Sequence, residues 1–364
     1  MTSPVHRSNN FDLIRLLAAI QVVLAHAIGH TGLREQLPAW QKQLFDLLVW
    51  LPGVPVFFVI SGFLIARSYE RNAADLKGYF KNRALRIFPA LWVCLAVTLI
   101  LLACFGFLPL SFLTSGTFTA WMLGQISFVQ FFNPEQFRDF GIGVANGALW
   151  TITVELQFYL FLPLFFAILR KSIGKAFVIT LFVISYIAFC FMNVKLNGPG
   201  GFTGAPFAFK LLHNTLLPHF WMFMVGIGIH RYFSILRPWL EGKFPIYLAA
   251  YLALAAVMQC WIEDASVPFY ALLLPARVLL GFLTISAAYT AKSLSSTLLR
   301  GTDCSYGIYI YHSLVINLFV EMNWLGSLTA VPLIFGVTLI LALLSWHIIE
   351  KPALSRKSNS PPVV

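Results

Sequence analysis

Arg15 and His26 stand eleven positions apart in the stretch NFDLIRLLAAIQVVLAHAIGH, residues 10–30. At 100° per residue, eleven residues make three helical turns and about 20° more, so both side chains fall on one face, roughly 16 Å apart along the axis. The stretch is apolar enough to cross a bilayer, and ionisable groups inside a span are costly unless they face a polar cavity or a partner. An imidazole on such a wall can serve as a base or a nucleophile. The plainer account has Arg15 snorkelling to the near surface and His26 ending the helix at the far one.

Other residues add to the pattern. In ALWTITVELQFYLFLP, 148–163, Glu155 is the only acidic residue between Asp139 and Glu241. It is expected near the outer end of the fourth span, at the depth of His26. A carboxylate there can orient and charge an imidazole, which makes a general base. In DCSYGIYIYH, 303–312, Ser305, Tyr309 and His312 follow i, i+4, i+7 spacing and share a face, with Tyr306 beside them. An aromatic belt accounts for the tyrosines equally well, but it does not account for a mid-span His312. Arg277 is a further mid-span charge. In PVFFVISGFLIARS, 55–68, the pair Ser61 and Gly62 lets either a helix or a ligand approach the backbone. In LKGYFKNRALRIFPALW, 76–92, Arg83 and Arg86 share a helical face, and forked guanidinium groups suit phosphates. Anionic lipid contact explains that basic stretch as well.

The elements that must position these residues are membrane helices. The chain has 364 residues, 59% hydrophobic and 11% charged, with mean hydropathy +0.79; soluble domains carry about 25% charged residues. No cleavable signal peptide is evident, so the first span is expected to stay. The five cysteines form no CxxC and no cluster with histidine, so no metal site and no disulfide framework is expected. Neither a GxGxxG nor a P-loop occurs.

Ten apolar runs reach bilayer length, at about 11–30, 44–66, 86–107, 152–170, 176–193, 215–232, 245–262, 269–290, 305–322 and 329–349. The stretch 108–150 reads as a long loop with interfacial pieces. With the N-terminus in the cytoplasm, 18 of the 25 Lys and Arg residues fall inside and five outside. That bias predicts an all-α polytopic protein with about ten spans and both termini cytoplasmic. The net charge of +11 belongs to the inner loops, and no nucleic-acid partner is expected. The expected organisation is one transmembrane domain over 1–352 and a short basic tail over 353–364.

These motifs in this order resemble the membrane acyltransferase-3 family. The likeness runs through NFDLIRLLAAIQVVLAHA with its Arg, ten residues, then His; FFVISGF; NRALRIFPALW; LWTITVELQFYL; SYGIYIYH; and the final IIEKP. It spans roughly 10–352. It implies a ten-helix domain that moves acyl groups, often acetyl, from cytoplasmic acyl-CoA to a hydroxyl of a sugar, a lipid or another acceptor. On this resemblance His26 is the catalytic histidine, while Arg15, Ser61, Gly62, Arg83 and Arg86 are donor-side residues. Glu155 is expected beside His26, and the roles of Ser305, Tyr306 and His312 stay open. Some members carry an extracytoplasmic esterase-like domain that this chain is expected to lack. The expected cofactor is acyl-CoA, acetyl-CoA foremost, with no metal. The expected partners are a saccharide, glycolipid or small-molecule acceptor and membrane lipids, in a bacterial cytoplasmic (inner) membrane. A transporter or flippase for a lipid-linked or small anionic substrate is the rival, since it would also show many spans and buried charges.

Overall fold

The structure, a computed structural model, describes residues 9–71, 73–197, 204–261, 267–324 and 329–357. Arg7, counted above among the inner charges, and 358–364 of the expected tail lie outside the described residues. The long helices are α1 (Phe11–Gly29), α2 (Ala39–Val49), α3 (Gly53–Arg71), α4 (Leu76–Cys104), α5 (Trp150–Leu169), α6 (Gly174–Leu196), α7 (Phe220–Arg231), α8 (Phe233–Leu240), α9 (Phe244–Trp261), α10 (Val267–Ala288), α11 (Ser305–Glu321) and α12 (Ala330–Ser345). No strand occurs among the described residues.

Eight helical stretches among the described residues are long and apolar enough to cross a membrane, against the ten runs expected. The expected runs 215–232 and 305–322 correspond to α7, of 12 residues, and α11, of 17 residues. At 1.5 Å per residue these are about 18 and 26 Å long, short of the ~30 Å hydrocarbon core. Most residues of both helices are buried. An interior helix need not match the lipid, so it tolerates the hydroxyls, amide and imidazole that lower its hydropathy.

The run 44–66 is also two helices rather than one. They break at Trp50-Leu51-Pro52 between α2 and α3, since proline disfavours helix in the residue before it. Gln21 of α1 closes that break, donating to the Leu48 carbonyl at 3.3 Å and accepting from the Gly53 amide at 2.7 Å.

The chain forms two compact units. The first holds residues 1–15, 54–73 and 157–301; the second holds 16–53, 74–156 and 302–364. Helices α1 and α5 each run from one unit into the other.

In the first unit α7 packs against α6 and α10, and α9 pairs with α10. Phe223 of α7 stacks on Phe58 at 4.6 Å and on Phe158 at 4.1 Å. Asn10 latches this unit: its side-chain amide donates to the Thr290 and Ala291 carbonyls at 2.6 and 3.1 Å and accepts from the Ser295 amide at 2.9 Å. One residue thus ties the start of α1 to the turn that follows α10.

In the second unit α11 packs against α12 and α4. Helix α4 begins well before the expected span. The Asp75 carboxylate caps it by accepting from the Gly78 amide at 2.7 Å, so the basic stretch 77–86 is helix and not loop. The polar segment 141–149 is stitched onto α11. Asn317 accepts from the Ile142 amide at 3.1 Å and donates to the Val144 carbonyl at 2.8 Å, while Gly147 donates to Ser313 Oγ at 2.9 Å. Non-helical backbone beside membrane helices requires such partners.

Candidate active site

Helix α1 carries Arg15 and His26 without interruption, so the shared face inferred from their spacing is real. His26 sits in the second unit, and its partner there is His312 of α11. His26 Nδ1 lies 2.9 Å from His312 Nε2, with ring centroids 5.1 Å apart. His312 is fully buried, and its Nδ1 lies 2.6 Å from the carbonyl of Tyr309, one turn back.

This geometry assigns the protons. A carbonyl only accepts, so His312 Nδ1 carries a hydrogen. Neutral His312 then presents Nε2 as an acceptor, and His26 donates from Nδ1. His26 is left with a lone pair on Nε2, which is the atom available to remove a proton. His30 stands one turn beyond, its ring centroid 4.9 Å from that of His26.

Glu155 of α5 is half-buried and lies within electrostatic range of Tyr306 and Tyr309. One turn before it, Thr151 donates to the Tyr309 hydroxyl at 2.8 Å. Glu155 and the tyrosines of α11 thus belong to the same unit, and His312 occupies the Nδ1 side of His26.

The donor-side residues fall in different places. Arg15 lies 4.0 Å from Asp12, one turn earlier on α1. Arg83 and Arg86 share a helix, as their spacing implies, but Arg86 is committed to carboxylates. It pairs with Asp303 at 2.7 Å and lies 4.0 Å from Glu350. Its guanidinium also stands over the Tyr306 ring, 5.9 Å from the centroid. Tyr306 donates to the Ile87 carbonyl at 3.1 Å, and Ser305 donates to Asp303 at 2.6 Å. Glu350 is 2% exposed and accepts from Ser345 at 3.0 Å. It ends a π-helical turn, Trp346–Glu350, and such turns are frequent at functional sites. Through these contacts Arg86 of α4 meets α11 and the Glu350 turn.

Ser61 is buried, and Gly62 is a crossing point between helices. A Cβ on Gly62 would meet the Phe223 carbonyl at 2.1 Å, and one on Gly226 would meet the Val59 carbonyl at 2.1 Å. Helices α3 and α7 thus touch backbone to backbone at Gly62 and Gly226.

Arg277 finds the Tyr251 hydroxyl at 3.4 Å. Among the described residues no group of three or more His, Cys, Asp or Glu could hold a metal ion. Asp303 and Glu350 were not singled out from sequence, although each lies in a motif that was, DCSYGIYIYH and IIEKP. An acidic residue beside an apolar run was the available signal.

The family model for the acyltransferase-3 group, described as an acyltransferase domain, matches residues 8–347. The chain is 36% identical to nodulation protein 10 of Rhizobium leguminosarum bv. viciae, over 97% of this chain and 95% of that protein. It is 27% identical to an O-acetyl transferase of Shigella phage Sf6, over 97% of this chain and 98% of that protein. It is 27% identical to a peptidoglycan O-acetyltransferase of Listeria monocytogenes, over 94% of this chain and 55% of that protein. No solved structure matches the chain.

Proposed function

Because this chain belongs to the membrane acyltransferase-3 family and is an O-acyltransferase, we propose that it moves an acyl group, acetyl foremost, from cytoplasmic acyl-CoA to a hydroxyl of a saccharide or glycolipid, with His26 as the base. The observation that carries this reading is the chain from His26 through His312 to the Tyr309 carbonyl, which leaves His26 Nε2 as a lone-pair nitrogen.

In the proposed step His26 Nε2 takes the acceptor's hydroxyl proton while the oxygen attacks the thioester carbonyl. The C–S bond then breaks, and the departing CoA thiolate takes the proton back from the imidazolium. The products are an ester and CoA thiol, with His26 regenerated. A general base contributes about 10²–10⁴-fold to such a step. Positive charge on the imidazole during transfer gives Glu155 its proposed part, as a carboxylate in the same unit that favours the charged form.

On the donor side Arg83 and Arg15 are proposed to meet the CoA phosphates and the arm that carries the thioester. Ten crossings with both termini cytoplasmic, in a bacterial cytoplasmic membrane, fit the basic bias of the loops. The relatives' names support an acceptor of the saccharide kind. The test is release of free CoA from acetyl-CoA by the purified chain. The proposal expects release that rises on addition of a hydroxylated saccharide, with the acetyl group recovered as an ester. CoA release without an ester, or no release with any hydroxylated acceptor, would contradict it.

A further inference from the structure

In the first unit, α3, α7 and the segment just past α10 bring a set of charges around Tyr289. The Tyr289 ring is enclosed by Phe11 at 5.9 Å, Phe63 at 6.4 Å and Phe233 at 4.8 Å between centroids. Its hydroxyl meets Arg67 Nη1 at 3.5 Å. Arg71, exposed and one turn beyond Arg67, lies within electrostatic range of both.

The neighbouring carboxylates are taken by other cations. Glu70 accepts from His230 Nε2 at 2.9 Å and pairs with Arg231 at 3.6 Å. Glu241 pairs with Arg237 at 2.7 Å and with Lys292. Hydrogen bonds from Lys292 first and Arg237 second hold its carboxyl below the usual range. Among the described residues, therefore, Arg67 and Arg71 have no carboxylate partner. Like charges four residues apart on a helix repel. The negative end of α3 favours cations there, but that attraction alone gives no reason to draw Arg67 inward onto a tyrosine hydroxyl.

Phe11, on the Tyr289 ring, lies one turn before Arg15 on the same face of α1. We propose that Arg67 and Arg71, with the Tyr289 hydroxyl, bind phosphate groups of the acyl-CoA donor. This rests on the donor proposed above. Two forked guanidinium groups beside a hydroxyl match phosphate oxygens. A lipid headgroup phosphate offers the same chemistry, so the test separates the two sources.

The experiment is calorimetric titration of CoA into the purified full chain in uncharged detergent, with and without added anionic lipid. Arg67→Gln/Arg71→Gln is expected to weaken CoA binding about tenfold or more. Arg71→Gln alone, at an exposed position, is expected to weaken it several-fold without loss of fold, and Arg71→Lys to recover part of the affinity. An unchanged dissociation constant in Arg71→Gln would overturn the proposal. So would CoA affinity that is equal in wild type and Arg67→Gln/Arg71→Gln without lipid but is lowered by anionic lipid only in wild type, which would assign the arginines to headgroups. Wild-type protein that binds CoA through these arginines yet transfers no acyl group would leave this site standing and remove the chemistry proposed for His26.

Discussion

His26 Nδ1 and His312 Nε2 lie 2.9 Å apart, joining α1 to α11 across 286 positions of sequence. With His312 fixed in turn by the Tyr309 carbonyl, the pair leaves His26 one free nitrogen and one orientation. His312→Ala removes a hydrogen bond worth about 1–1.5 kcal/mol. It is expected to lower kcat roughly tenfold and leave KM for acetyl-CoA unchanged. A rise in KM with kcat intact would instead place His312 in donor binding.

Arg86 and Arg83 separate by outcome. Arg86→Ala strips the cation from Asp303 and from buried Glu350, and breaking a buried ion pair costs about 3–5 kcal/mol. Its expected signature is a large fall in thermal stability in detergent. That fall is largely recovered when Arg86→Met is combined with Asp303→Asn and Glu350→Gln. Arg83→Ala is expected to fold and to weaken donor affinity by about 1.5–3 kcal/mol, roughly a 10- to 150-fold rise in the dissociation constant. Unchanged affinity would return Arg83 to lipid contact.

Gly62→Ala puts a methyl group 2.1 Å from the Phe223 carbonyl. The helices must separate, at a cost of about 1–3 kcal/mol. Thermal unfolding is expected to shift downward, and Gly226→Ala should reproduce the shift from the other side of the same crossing. A stable Gly62→Ala protein with weakened CoA binding would make Gly62 a ligand contact.

Topology is open to single-cysteine labelling in a background without the five native cysteines. The basic bias predicts that Lys81→Cys is protected from an impermeant reagent in intact cells and that Glu135→Cys, on an exposed side chain, is labelled. The reverse pattern would invert the orientation.

What the sequence made legible follows from the range of each interaction. The shared face of Arg15 and His26 is local, fixed by helical periodicity, and it survives in α1. The all-α membrane class follows from composition and also holds. The partners of those residues are not local. His312 was visible as a mid-span imidazole, yet nothing in its own segment names His26. The carboxylate that Arg86 meets, Asp303, lies 217 positions away. Glu155 was matched to His26 by depth, and depth alone does not say which face a side chain takes, so that pairing stays a proposal. The ten-run count rested on apolar length, and α7 and α11 fall short of it because buried helices answer to packing rather than to bilayer thickness.

The central claim is that His26 Nε2 removes the acceptor's proton. The direct measurement is transfer by His26→Ala in protein shown by titration to bind acetyl-CoA with wild-type affinity. The account predicts that turnover falls by at least about 10²-fold while donor binding stays within a factor of about two. A His26→Ala protein that binds donor normally and keeps more than about a tenth of wild-type turnover would contradict it.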